Sequence, residues 1–445
     1  MEKPNILFLV IDSLRADKIF GKKKTSITPN IDKIVKNGVL FSNVVSSAQS
    51  SIPAVSSIFT GKYPFSTLKL EDKVYNLKKD CITFIQKLKD ENYQVHATIP
   101  KILTLMNLDH IFEKNIYAYD DNLTLYDGVG QKIIHQINNF EKSKPWFFYL
   151  HLNDIHGHAK FHKNIIPNGF EDKKNGANQY ERMISLMDIW LGKIFDKIDL
   201  STTMIIITAD HATNMGVYDE KLDETFRQEK EFIKVEKNQL VSYGQKFSKK
   251  LPSTFKPLRR KLSQIYKDNR DLKINEKASE RISEIEKLET TQYKKRILKN
   301  MVKAMSELYD DRLIIPFVLT GVNSHQIISQ QVRSIDIFPT IFDILNLEIN
   351  FKIHGRSLLP LIKRQNFDEL PAFIETHTNV IEGFYEHYIG IRTSNFKYFR
   401  KIDEPINEFL FDLKKDPLEE ENIAKLNKDK IQKMNNLIDE ILKDI

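Results

Sequence analysis

One cysteine, Cys81, stands in a chain of 445 residues, so no internal disulfide can form and a reducing compartment suits it. Glycine and proline number 15 each, too few for a collagen-like chain or a Gly-rich linker. No apolar run approaches the roughly 18 residues of a membrane span. The short apolar stretch after Asn5 ends at Asp12 with no small-residue cleavage site behind it, so neither a spanning helix nor a signal peptide is expected. Zinc-finger spacing, an aromatic RNA-binding motif and a Gly-rich phosphate loop are also missing, and no clear nucleic-acid partner is implied. Together these absences lead to the expectation of a soluble, cytoplasmic globular protein.

What is present is a composition 41% hydrophobic and 29% charged, enough for a large core without covalent staples. The net charge of +7 is uneven: residues 221–300 hold 22 Lys and Arg against 12 Asp and Glu, leaving the rest of the chain slightly negative. That stretch is charged and periodic, as in Lys277 to Lys299, and reads as a basic helical insertion. It is either a solvated surface element or an arm for an anionic partner, peripheral membrane contact included.

Elsewhere strand and helix signals alternate, the pattern of an α/β protein with a largely parallel sheet. Asn5 to Ile11, Trp146 to Leu152 and Thr203 to Thr208 read as buried central strands, with a further strand over Leu313 to Leu319. Ile31 to Asn37, residues 54–60 and Tyr180 to Ile198 read as helices, and short strands at His387 to Ile391 and Phe396 to Arg400 precede a terminal helix. Three strands end in polar residues: Asp12, then Asn153 with Asp154, then Asp210 with His211. Ligands bind at the carboxyl ends of strands in open α/β sheets.

Asp12, Asp210 and His211 could share one divalent ion, whether Mn, Zn, Mg or Ca. A single Asp at a strand end is also a common helix cap. Ser51 stands just before a helix, where amides and the helix dipole favour an anion. It is there either as a nucleophile or as an N-cap.

The order of motifs goes further. Pro4 to Leu7 running through Asp12 to Asp17, Thr28 to Asp32, Gly38 to Asn43, Ser51 to Gly61, His151 to His156, Thr208 to His211, Asp336 to Thr340, His354 to Leu358 and the tail Phe409 to Pro417 together resemble the sulfatase family of the alkaline phosphatase superfamily. The resemblance spans nearly everything except the basic insertion. It implies an alkaline-phosphatase-like α/β sandwich with a large, mostly parallel central sheet and a smaller C-terminal α+β subdomain. The catalytic domain is expected over 1–345, interrupted at about 221–300, with the subdomain over 346–445.

By the same resemblance Asp12, Asp210, His211 and Ser51 would hold one divalent metal ion, and Ser51 would be the nucleophile. His156 would be an acid/base or substrate histidine, and His151, Lys221 and Lys397 would contact substrate. His151 could equally face the core, and surface ion pairing would account for Lys397. The expected function is hydrolysis of an anionic sulfate or phosphate ester on a glycan or glycan precursor.

Three departures qualify that pattern: Ser13 stands where a second Asp is usual, Val55 where an Arg accompanies a nucleophile matured to formylglycine, and Ala212 where Gly follows the Asp-His pair. They bring in a phosphotransferase acting on surface polysaccharide or lipid, and an inactive anion-binding family member, as alternatives.

Overall fold

The structure is a computed structural model that describes residues 3–71, 74–106, 109–156, 169–170, 172–214, 276–302, 306–376 and 386–443. The chain divides into two compact units, Met1–Gly216 with Ser306–Ile445, and Val217–Met305. In the second, residues 276–286 and Gln292–Val302 are helical, and Ile285 and Leu298 bury against each other with Val302 beside them.

In the first unit nine strands form one sheet: β1 (Asn5–Ile11), β2 (Val39–Val45), β5 (Gln94–Pro100), β6 (Ile116–Tyr119), β7 (Trp146–Leu152), β8 (Thr203–Thr208), β9 (Ile314–Leu319), β10 (Gln326–Ile328) and β11 (Val332–Arg333). Between them in sequence, β3 (Leu68–Glu71) and β4 (Val74–Leu77) make a separate antiparallel pair. The order across the sheet is β10-β2-β9-β8-β1-β7-β5-β6, with β11 also on β2. Only β9 runs against its neighbours. At the centre, β7 and β8 are buried along their whole length and β1 everywhere but Asn5. Their apolar runs do not alternate because both faces of a parallel sheet are covered.

Two groups of helices supply the cover. Pro29–Lys36 (α1) and Val129–Asn138 (α4) each pack on Gln179–Phe195 (α5), while Phe84–Asp90 (α3) and Ile337–Ile344 (α6) each pack on Ser51–Thr60 (α2). All ten residues of α2 are buried. Phe59 meets the Tyr149 ring edge-on at 4.9 Å, tying α2 to β7. Gly61 ends the helix at φ 65°, a conformation that suits glycine. Its carbonyl accepts the amides of His354 and Gly355, both at 2.9 Å. The motif at 354–358 thus anchors the far end of the Ser51 helix.

A second, antiparallel sheet follows near the C-terminus: β12 (Ala372–Glu375), β13 (Tyr388–Arg392), β14 (Phe396–Lys401) and β15 (Glu408–Asp412). The terminal helix Lys428–Lys443 (α7) lays Ile431, Met434 and Ile438 on its apolar face, beside Ile389, Ile391, Tyr398 and Leu410. β12 bridges to Ala48, and the Glu375 amide donates to the Ser47 carbonyl at 3.0 Å. This sheet therefore abuts the loop that leads to Ser51. The fold is the expected α/β arrangement, a large, mostly parallel sheet with a C-terminal antiparallel subdomain.

Candidate active site

Strand parity builds the site. Val10 of β1 lies in register with His151 of β7 and with Thr208 of β8. Neighbours in such a row share a face of the sheet, and a residue two further along returns to that face. Asp12 and Asp210, two residues beyond Val10 and Thr208, therefore converge with His151. The acidic and imidazole atoms of Asp12, His151 and Asp210 lie within 4.8 Å of one another.

Ser51 is the first residue of α2, and Ser50 occupies the cap position without a side-chain cap bond. The capping alternative for Ser51 is thereby overturned. Its hydroxyl donates to Asp12 Oδ2 at 3.0 Å and lies 3.4 Å from His211 Nε2. His211 Nδ1 lies 2.9 Å from the Ala212 carbonyl, which can only accept. A proton therefore sits on Nδ1, which leaves Nε2 facing the cluster. Nε2 is 3.6 Å from Asp210 Oδ2 and 3.9 Å from Asp12 Oδ1. Asp210 Oδ1 accepts the amides of His211 (2.7 Å) and Ser13 (3.2 Å). Its buried Oδ2 has no hydrogen-bond partner among the described residues.

Burial alone would push the Asp12 carboxyl up. The charge of His156, the hydrogen bond from His151 and the charge of His211 instead hold it well below the usual carboxylate range. Burial opposes the charged form of His211, yet Asp210 and Asp12 raise its pKa. Two buried carboxylates, one with an unpartnered oxygen, facing an imidazole nitrogen are a donor set that a divalent cation fits.

Ser13, where the sequence departs from the family pattern, has a defined place. At φ 66° it turns its hydroxyl onto Asp12 Oδ1 (2.7 Å) while its amide bonds Asp210. Tyr180 donates to the Ser13 carbonyl at 2.7 Å and accepts the Arg15 amide. Ser13 thus ties the two carboxylates together rather than adding a third.

The remaining expectations divide. His156 is half-buried, with Nε2 3.9 Å from Asp12 Oδ1, beside the cluster but more open than its members. His151 is fully buried, with Nε2 3.5 Å from Asp12 Oδ2 and 3.8 Å from Asp210 Oδ2. It belongs among the carboxylates, buried as the core-facing alternative had it, and not at a substrate surface. Lys397 is also corrected. It is wholly buried, and its ammonium meets Asp310 at 2.9 Å and Glu419 at 2.6 Å. A buried cation satisfied by two carboxylates holds the C-terminal sheet in place and is not available to a substrate. Lys221 and most of the basic insertion lie outside the described residues. No helix among the described residues is long and apolar enough to cross a membrane.

Sequence motifs missed His151 and Ser13 as members of the cluster. The parity of β1, β7 and β8 would have found His151 had their register been known.

The Sulfatase family profile matches residues 4–347, and a profile described as N-sulphoglucosamine sulphohydrolase, C-terminal, matches residues 303–445. An N-acetylglucosamine-6-O-sulfatase of Bacteroides thetaiotaomicron is 24% identical over 485 aligned positions, covering 95% of this chain and 83% of that protein. Against several other curated relatives the chain spans less than half of the relative's length. One is a Haemophilus influenzae protein, 25% identical over 232 residues, covering 50% of this chain and 34% of that protein. A solved structure described as bound to its substrate D-glucosamine-2-N,6-O-disulfate superposes with a TM-score of 0.64 at 15% identity, covering 99% of this chain and 98% of that one. At that identity the match concerns the fold.

Proposed function

The chain belongs to the sulfatase family, and from that premise we propose that it is a metal-dependent hydrolase of a sulfate ester carried by a saccharide, with Ser51 as nucleophile. One observation carries the reading: the Ser51 hydroxyl opens a buried helix and points at Asp12 Oδ2, with His211 Nε2 3.4 Å away. The saccharide comes from relatives such as the N-acetylglucosamine-6-O-sulfatase.

Asp12, Asp210, His211 and Ser51 would hold the ion. Bound there, a divalent cation lowers the pKa of the serine hydroxyl and offsets charge on the ester oxygens. The chain's own residues do the rest. Ser51 Oγ, its proton released to solvent, attacks sulfur in line, and the bond from sulfur to the sugar oxygen breaks. The first turn of α2 offers the Ser51 and Ile52 amides to the transferring group, since Pro53 has none and the Ala54 amide donates to the Ser50 carbonyl at 3.2 Å. His156, half-buried beside Asp12, donates a proton to the departing sugar oxygen, which leaves as a hydroxyl. Water then cleaves the seryl ester, releasing the anion and restoring Ser51.

A second reading, a phosphoester substrate, is favoured by Val55. It is fully buried within α2, so the place of the maturation arginine is an apolar core position, and in this reading Ser51 stays a plain alcohol. Phosphoryl transfer suits an unmodified serine. Ion chromatography of the anion released from 6-O-sulfated and 6-O-phosphorylated N-acetylglucosamine decides between them. Sulfate release supports the first reading, phosphate release the second, and release of neither removes both.

A further inference from the structure

We infer that His151 is a nitrogen ligand of the metal, and that the chain therefore selects a first-row transition ion such as Zn2+ over Ca2+ or Mg2+; this rests on the metal-dependent reading above.

Burial and direction come first. His151 has no solvent exposure and sits in the middle strand row that also carries Val10 and Thr208. A histidine kept there only for packing would meet apolar neighbours. His151 Nε2 instead faces two carboxylates, 3.5 Å from Asp12 Oδ2 and 3.8 Å from Asp210 Oδ2. On the other side of Asp210 Oδ2, His211 Nε2 lies at 3.6 Å. Ligand atoms around a tetrahedral ion with bonds of about 2.0–2.1 Å stand roughly 3.3–3.4 Å apart. The His151–Asp12, His151–Asp210 and His211–Asp210 separations, 3.5, 3.8 and 3.6 Å, are a few tenths of an ångström wider, a gap that small side-chain shifts close.

The far side of the ring has an anchor as well. His151 Nδ1 is 2.8 Å from the hydroxyl of buried Tyr149. A ligating imidazole carries its proton on the nitrogen away from the metal and needs an acceptor there, and the Tyr149 hydroxyl, which can donate or accept, stands where that acceptor would be. The His151 carbonyl is fixed by the Tyr119 hydroxyl at 2.7 Å, so the strand end that delivers the ring is held too. Two imidazole nitrogens and two carboxylate oxygens suit zinc-like ions. Calcium takes six to eight oxygens and magnesium near-ideal octahedral oxygen geometry.

The test uses the full chain stripped of metal with chelator, titrated separately with Zn2+, Mn2+, Mg2+ and Ca2+ by calorimetry, and with Co2+ for its visible absorption. The wild type should bind one Zn2+ far more tightly than Ca2+ or Mg2+. His151→Gln should weaken Zn2+ binding by at least about 100-fold and Tyr149→Phe by about 10- to 100-fold. The Co2+ absorption bands should shift in His151→Gln. Should His151→Gln fail to fold, Tyr149→Phe alone decides. Zn2+ binding and a Co2+ spectrum unchanged by these variants would refute His151 as a ligand while leaving the metal-dependent reading intact. A preference of the wild type for Ca2+ or Mg2+ would refute the selectivity. Failure of the wild type to bind any of the ions would overturn both this inference and the reading beneath it.

Discussion

Lys397→Met separates a structural cation from a substrate-binding one. The Lys397 ammonium is buried between Asp310 and Glu419, at 2.9 and 2.6 Å. Arg392 shares Asp310 at 2.9 Å and donates to Gln331 at 2.6 Å. Two cations thus balance two carboxylates. Burial would raise the Asp310 carboxyl, and Arg392 and Lys397 hold it well below its usual range. Removing Lys397 leaves two buried carboxylates with one cation, and breaking such a pair costs about 3–5 kcal/mol. In a unit of several hundred residues each kcal/mol moves Tm by about 1–2 °C, so a fall of about 5 °C is expected at pH 7.

The sign with pH follows from the depressed carboxyl. The stability it contributes is present above the ordinary Asp pKa and is lost as pH falls through the lower native value. The deficit of Lys397→Met should therefore shrink in acid. Adding Glu419→Gln removes one unpaired charge and should recover part of the loss. The assay is thermal unfolding of the three proteins between pH 3 and 8, beside turnover at a temperature where all are folded. An unchanged Tm combined with lost turnover would refute the structural role and return Lys397 to the substrate.

Further outcomes follow from neighbouring details. Ser13→Gly relieves a left-handed backbone but removes the hydroxyl on Asp12; metal affinity by calorimetry should fall about 10- to 100-fold while metal-free stability holds. Burial, with the charge of Asp127 adding, raises the Asp154 carboxyl to about 7 even though it accepts the Leu125 amide. The native state thus keeps a proton that the unfolded chain loses between about pH 4 and 7, and stability declines as pH rises across that window, by at most about 4 kcal/mol. Asp154→Asn should flatten that decline in Tm-versus-pH curves. Gly355→Ala would place a Cβ 2.1 Å from the Ile335 carbonyl oxygen, a clash that should lower the urea midpoint by the equivalent of about 1–3 kcal/mol.

How far the sequence could be read depended on whether a feature was local. The central strands were plain because β1, β7 and β8 are nearly continuous apolar runs covered on both faces. The strand over Gln94–Pro100 passed unnoticed because Gln94, His96 and Thr98 interrupt its apolar positions. Helix α2 begins at Ser51, three residues before its apolar spacing suggested, because Pro53 fits the first turn of a helix and does not break it. Asp12, Asp210 and His211 announced themselves at strand ends. His151 did not, since its partners are set by register across three strands far apart in sequence. Lys397 misled for the same reason: its basic charge was visible, while Asp310 and Glu419 reach it only through the folding of the C-terminal sheet.

The central claim is that Ser51 attacks the ester as an unmodified alcohol. The most direct measurement is mass spectrometry of the peptide containing Ser51, before and after rapid acid quench during turnover of an aryl sulfate or aryl phosphate, with Ser51→Ala run in parallel. The account predicts plain serine at rest, a sulfuryl or phosphoryl adduct on Ser51 in the quenched sample, and turnover lost by at least about 1,000-fold in Ser51→Ala. A formylglycine at position 51, or full turnover by Ser51→Ala, would contradict it.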